Sequence, residues 1–231
     1  MIVLACATAR EALRTISDLA PTPSSWPARV SIRNRDFLIC VVGIGPVAAA
    51  LSIGALLQQP KRISGILNLG ICGSFELDAI PMGRPCVAQS EIWPEYGVHF
   101  SGSVQEEPFA HQMLPDLVLT PPNRLDLAPA AAAAAMNLHL PADWAMAPSL
   151  TVAGVSGDEH RAAELRTRYA GGTENMEGFS LALAARRQAL PFLEIRTVSN
   201  AVGVRDKGSW DFRMALDALG KILPTLLGDP S

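Results

Sequence analysis

The sequence predicts an α/β protein: one domain over residues 1–231, with a mixed central β-sheet flanked by helices. Three observations carry this. Strand-length apolar runs recur along the chain, continuous enough to be covered on both faces. Stretches of helical spacing follow many of them, the alternation expected of an α/β domain. Two runs end in glycine turns, "VVGIGP" and "NLGICGS", where a strand hands over to the next element.

The first run predicts a strand at 2–7 and a helix at 11–19. Runs at 30–32 and 37–42 flank the polar "RNRD" and predict a hairpin. Residues 37–59 carry no charge after Asp36 and are long enough to span a bilayer. Gly43-Ile44-Gly45-Pro46 interrupts them, so a strand, a turn and a helix at 46–58 are expected, with a spanning segment as the alternative. Strands are expected at 65–69 and 85–89. Residues 98–148 are rich in Pro and Ala; the alanines at 130–135 favour a helix, and residues 99–116 read as a lid or binding loop. A strand at 150–155 precedes a helix at 160–169, with Ser156 or Asp158 as its cap. A buried helix at 176–189, a strand at 192–199 and a helix from 210 to 219 or 223 complete the series. No repeat or linker divides the chain.

Composition excludes several classes. At 49% hydrophobic and 18% charged the chain is not disordered. A net charge of -3 with scattered basic residues leaves no footprint for nucleic acid. Cys6, Cys40, Cys72 and Cys86 form no CxxC pair and read as buried thiols in a reducing compartment. His99, His111, His139 and His160 lack metal-ligand spacing, so no metal and no cofactor is expected. "MIVLACA" has no basic n-region, so no signal peptide, no membrane association and a cytoplasmic location are expected.

"VVGIGPVAAA" approaches a dinucleotide fingerprint, but no acid lies between Asp36 and Glu76 to hold a ribose, which argues against NAD. Gly70 and Gly73 mark where backbone comes close to something. Glu11 reads alone as a first-turn glutamate favoured by the helix dipole. Glu177 is the only charge between Glu174 and Arg186, at the front of a buried helix. Such a carboxylate needs partners; it suits either the helix N-terminus or a vicinal diol.

The order of Glu11, "GIG", "NLGICGSF", "VSGDE", "NMEG" and "VSN" resembles the nucleoside phosphorylase and nucleosidase superfamily along nearly the whole chain. "ENMEG" and "VSNAVGVRDKGSW" look most like its futalosine hydrolases, of the alternative menaquinone pathway. The resemblance implies a homo-oligomer and a set of roles. Glu11 would position and activate water. Glu177 would bind the ribose hydroxyls, with Asn175 and Met176 beside it. Ile71, Cys72 and Gly73 would wall the sugar and base pocket, with Ile44, from the first glycine turn, near it. His160 stands where methylthioadenosine nucleosidases stack an aromatic on the base, and Trp210 where an aromatic flanks the purine. Ser199 precedes Asn200, which replaces those enzymes' catalytic aspartate.

An amide cannot give up a proton at neutral pH but can donate hydrogen bonds. A 6-oxopurine offers two neighbouring acceptors, O6 and N7, which a carboxylate would repel. Asn200 therefore argues for hypoxanthine as the leaving base, stabilised by a donor as charge develops; the plainer alternative is an Asn closing a strand-end turn. Arg10 and Arg205 make no convincing phosphate cradle, so hydrolysis is expected over phosphorolysis. The alternatives are a purine nucleoside phosphorylase, a methylthioadenosine-type nucleosidase and a non-catalytic nucleoside- or dinucleotide-binding module. Futalosine carries an aromatic carboxylate on its 5′ side, and the sequence does not single out the group that receives it.

Overall fold

"IVLAC" forms β1 (Ile2–Cys6), buried at every position. It lies between two parallel neighbours, the strands Arg35–Val41 and Gly65–Ser74, which cover both of its edges. The computed structural model describes residues 1–59, 62–100, 103–105 and 111–228. β1 leads into α1 (Ala9–Ile16); β2 (Ala28–Ile32) and β3 (Arg35–Val41) form the expected antiparallel hairpin. Its turn residues Arg33 and Asn34 both take positive φ (51° and 59°), the tight two-residue geometry that matches strand twist. α2 (Pro46–Leu57) follows the first glycine turn, with Pro46 in its first turn. The uncharged stretch is thus a strand, a turn and a helix. Among the described residues no helix is long and apolar enough to cross a membrane.

β4 (Gly65–Ser74) and β5 (Pro85–Ile92) come next, then the short β6 (Val98–Phe100), β7 (Ser103–Gln105) and β8 (Arg124–Asp126). Of the lid expected at 99–116, residues 101, 102 and 106–110 lie outside the described residues. The alanine run is α3 (Pro129–Ala135). β9 (Ala145–Thr151), α4 (Glu159–Tyr169), β10 (Thr173–Asn175), α5 (Gly178–Arg187), β11 (Phe192–Ala201) and α6 (Phe212–Leu226) complete the fold. Of the two caps expected for α4, Asp158 is the one used; it accepts from the Arg161 N–H at 2.9 Å.

β1, β3, β4 and β11 are parallel, whereas β11 meets β5 antiparallel, so the sheet is mixed. β10 pairs both β9 and β4, which closes β4, β11, β5, β9 and β10 into a ring. One apolar layer, including Ile16, Leu219 and Leu223, packs α1, α3 and α6 on one face of the sheet. A second, including Ile53, Phe179 and Leu181, packs α2 and α5 on the other. Chain order reverses about β1, with β3 to one side and β4 to the other, and such switch points open a crevice at the strands' C-terminal ends.

Candidate active site

A cavity of about 480 Å³ fills that crevice. Its first acid is set by helix-start chemistry. Thr8 caps α1 and its hydroxyl accepts from the Glu11 N–H, while Glu11 Oε2 accepts from the Thr8 N–H (2.9 Å) and hydroxyl (2.7 Å). Glu11 is therefore a first-turn capping glutamate, and it is more. Its Oε1 crosses to β4 and accepts from the Ile71 N–H at 3.1 Å, so a buried carboxylate reaches from helix to sheet.

The second glycine turn explains the crossing. The expected strand at 65–69 runs on to Ser74, through Gly70 and Gly73. A Cβ on Gly70 would lie 2.9 Å from Glu11 Oε1 and 3.1 Å from Arg196 Nη1. One on Gly73 would lie 2.8 Å from the Val202 side chain and 3.2 Å from Asn200 Nδ2. These glycines admit the protein's own site residues.

Glu177 precedes α5 rather than lying within it, because residues 173–175 pair into the sheet as β10. Gly45, at φ 94°, turns its N–H onto Glu177 Oε1 at 3.1 Å, a conformation glycine adopts freely. Oε2 lies 3.3 Å from Arg196 Nη1. Burial raises the Glu177 pKa above the ordinary carboxylate value; Arg196 and the Gly45 N–H pull it back.

Arg196 is the principal residue the sequence reading passed over. It is 4% exposed; its Nε donates to Glu194 at 2.6 Å and its Nη1 to the Ile71 carbonyl at 3.1 Å. Burial opposes its charge, and Glu194 and Glu177 outweigh burial, so it stays a cation. Its Nη2 has no hydrogen-bond partner among the described residues. The signal was present: Glu194 and Arg196 stand two apart on one face of a buried strand. Behind them Glu91 faces Glu194. Burial and then Glu194 hold Glu91 well above the usual carboxylate range.

Asn200 sits at a register shift in β11, where Val198 pairs Cys72 and Asn200 pairs Gly73. Such a bulge re-aims a side chain. Asn200 Oδ1 accepts from the Ser199 hydroxyl at 2.8 Å and its amide nitrogen donates to the Ala201 carbonyl at 2.9 Å. A flipped amide would set oxygen against oxygen at Ala201, which fixes the orientation. One N–H therefore remains for a ligand, where the sequence reading gave the whole NH2 group to the base.

Ile44, Ile71, Cys72, Gly73 and Met176 all line the cavity. Ser199 lines it too, though its hydroxyl is engaged with the Cys72 carbonyl and Asn200. Asn175 lines it with its amide already used. Its nitrogen donates to Glu91 and Ser149, and its oxygen accepts from the Glu177 and Gly178 N–H groups, so it sets the front of α5. Trp210 lies before α6 with its indole N–H on the Val204 carbonyl at 2.8 Å. His160 is the exception. It is exposed in the first turn of α4 and does not line the cavity; Val155 and Ser156, just before that helix, do. Glu174, also unanticipated, accepts from both the N–H and the hydroxyl of Ser156. The four cysteines are buried.

Glu11 and Glu177, buried carboxylates each gripped by a main-chain N–H, thus share one largely apolar cavity with a half-buried amide and with Glu174, which Ser156 engages. The arrangement can bind a diol, deprotonate water and hydrogen-bond a heteroaromatic leaving group. Residues 2–226 match the family model of the Phosphorylase superfamily. A futalosine hydrolase of Streptomyces coelicolor is 33% identical over 98% of this chain and 95% of its own length. The native structure of the futalosine hydrolase of Helicobacter pylori superposes with a TM-score of 0.74 at 15% identity, covering 98% of this chain and 96% of that one. A 5′-methylthioadenosine/S-adenosylhomocysteine nucleosidase from the same organism gives 0.75 at 16% identity, covering 98% and 97%. The fold alone does not choose between those two.

Proposed function

The chain belongs to the Phosphorylase superfamily and, at 33% identity over 98% of its length, to the futalosine hydrolase family within it; on that premise we propose that it cleaves the N-glycosidic bond of futalosine with water, releasing hypoxanthine, in the alternative route to menaquinone. The observation that carries the chemistry is the pair of buried carboxylates, Glu11 and Glu177, in one cavity with Asn200.

In this reading Glu177 accepts the ribose hydroxyls, Arg196 and Gly45 hold it in place, and Met176 packs on the sugar. Departure of the base leaves an oxocarbenium-like sugar whose positive charge the two carboxylates stabilise. Glu11 takes the proton of the attacking water, a contribution typically worth 10²–10⁴-fold. The free Asn200 N–H donates to the base as its charge develops. Phosphate in place of water would face the two carboxylates Glu11 and Glu177, which favours hydrolysis. Chromatography of reactions with futalosine, inosine and methylthioadenosine tests the reading. Hypoxanthine from futalosine at the highest kcat/KM is expected; adenine from methylthioadenosine as the preferred product would replace it with the adenine-specific alternative.

We also read the enzyme as cytoplasmic, in keeping with its buried cysteines, and as a homo-oligomer. Ile44, Val47 and Leu51 are 63%, 71% and 70% exposed and fall on one face of α2 and the turn before it. Such a stripe supports a subunit interface beside the cavity mouth.

A further inference from the structure

Arg10 follows the capping Thr8 and Ala9 in the first turn of α1. The N-terminus of a helix favours a carboxylate there, so an arginine is locally unfavourable. Its neighbours at this corner are paired: Arg14 with Asp217 at 2.8 Å, Arg196 with Glu177 and Glu194. Among the described residues no carboxylate lies within ion-pair reach of Arg10, and it lines the cavity that holds Glu11, Glu177 and Asn200. Arg205, the other cavity cation outside the buried network, stacks over Trp210, with its guanidinium 5.1 Å from the ring centroid.

The apolar side of this corner is equally defined. Trp210 has its indole N–H on the Val204 carbonyl, so it offers the cavity a ring without a free donor. Phe212 stands edge-on to it at 5.4 Å, and Leu216, one turn along α6, lines the cavity beside them. Arg10 and Leu216 also line a shallower depression between α1 and α6, so the cavity opens past them to the surface. An unpaired guanidinium at the mouth and aromatic and aliphatic side chains along the wall suit a ligand group that is an apolar ring bearing an anion.

We propose that Arg10 is a specificity-determining residue that binds the carboxylate of an aromatic acid carried on the 5′ side of the nucleoside, with Trp210, Phe212 and Leu216 packing on its ring. This rests on the nucleoside-hydrolysing reading of the cavity. Glu177 fixes the sugar's diol and Asn200 its base, which leaves the 5′ carbon to direct its substituent out along this corner. The guanidinium also suits the task geometrically, since its fork matches the two oxygens of a carboxylate.

The test compares futalosine, its carboxylate methyl ester and inosine on the wild-type enzyme and on Arg10→Gln and Arg10→Lys. Arg10 is exposed and unpaired, so neither change threatens folding; thermal melts check this. The readout is the ratio of kcat/KM for futalosine to that for inosine, because a change beside Glu11 can slow both. A lost charge-assisted contact to the carboxylate should lower that ratio about tenfold to a hundredfold in Arg10→Gln, mostly through KM. Arg10→Lys should recover part of it. The wild-type enzyme should treat the ester much as Arg10→Gln treats futalosine. Wild-type cleavage of futalosine with an unmoved ratio in Arg10→Gln would overturn the subsite and leave the hydrolase reading standing. Wild-type enzyme that releases no hypoxanthine from futalosine or inosine overturns both.

Discussion

Asn200→Asp probes how the site reads the base. The amide nitrogen donates to the Ala201 carbonyl at 2.9 Å, and its oxygen accepts from Ser199 at 2.8 Å. Aspartate keeps the second contact and turns the first into oxygen facing oxygen. At neutral pH the charged carboxylate also presents no donor to O6 or N7 of a 6-oxopurine. Leaving a polar group unpaired in a largely desolvated pocket costs about 1–3 kcal/mol, which is roughly five- to 150-fold in kcat/KM. A 6-amino base fares differently, because its N6–H finds an acceptor in the new carboxylate. The preference for futalosine over its 6-amino analogue should therefore shrink by about tenfold or more. The pH dependence follows from charge. The protonated acid can donate, so activity on futalosine should partly recover at low pH and fall as pH rises through the new carboxyl's pKa. The assay is kcat/KM for both substrates, wild type against variant, from pH 5 to 8. A preference ratio that does not move would refute the reasoning, for then Asn200 merely closes the bulge in β11.

Three further outcomes are expected. Glu11→Gln should lose most turnover with little change in substrate affinity, since water activation matters only in the transition state; equilibrium binding beside single-turnover rates separates the two, and near-normal turnover would refute the role. Glu177→Gln should weaken binding and turnover of the ribonucleoside far more than of its 2′-deoxy counterpart, whereas equal losses would mean that Glu177 only anchors Gly45 and Arg196. Glu91, whose pKa is raised by burial and then by Glu194, should make stability pH-dependent: the folded state retains a proton the unfolded chain releases, so stability is fullest at or below the ordinary carboxylate range and declines as pH rises towards the raised pKa. Glu91→Gln should flatten that decline in urea titrations at pH 5, 7 and 9, and parallel wild-type and variant slopes would show that Glu91 does not carry the proton.

Much of this architecture was legible because it rests on local signals. The two-residue turn at Arg33 and Asn34, Pro46 at the start of α2 and the Asp158 cap each follow from neighbouring residues alone. What was hidden depends on partners distant in sequence. β8 and β10 are three residues long and exist because β5, β9 and β4 offer edges to them. Pairing of 173–175 is what moved Glu177 out of the helix expected at 176–189 and left it before α5. β4 ran past its expected end because Gly70 and Gly73 make room for Glu11, Arg196 and Asn200 rather than for a turn. Arg196 was missed because two charges within "PFLEIRTVS" do not lower its average hydrophobicity enough to stand out, although two buried charges of opposite sign, two residues apart, mark one face of a strand as polar. His160 was placed by analogy with an aromatic in relatives, and the α4 start points it to solvent. Ser156, the cap not used, is drawn instead to Glu174.

Attack of water, guided by Glu11, on the sugar of a 6-oxopurine nucleoside leaves its mark on the oxygen of the product. Its most direct test is a futalosine reaction run in 18O-labelled water with saturating phosphate, followed by mass spectrometry of the sugar product. The account predicts one 18O at the anomeric carbon, free hypoxanthine in equal amount and no sugar phosphate, with the rate indifferent to phosphate. A phosphorylated sugar without the label, formed at a rate that climbs with phosphate, would contradict it.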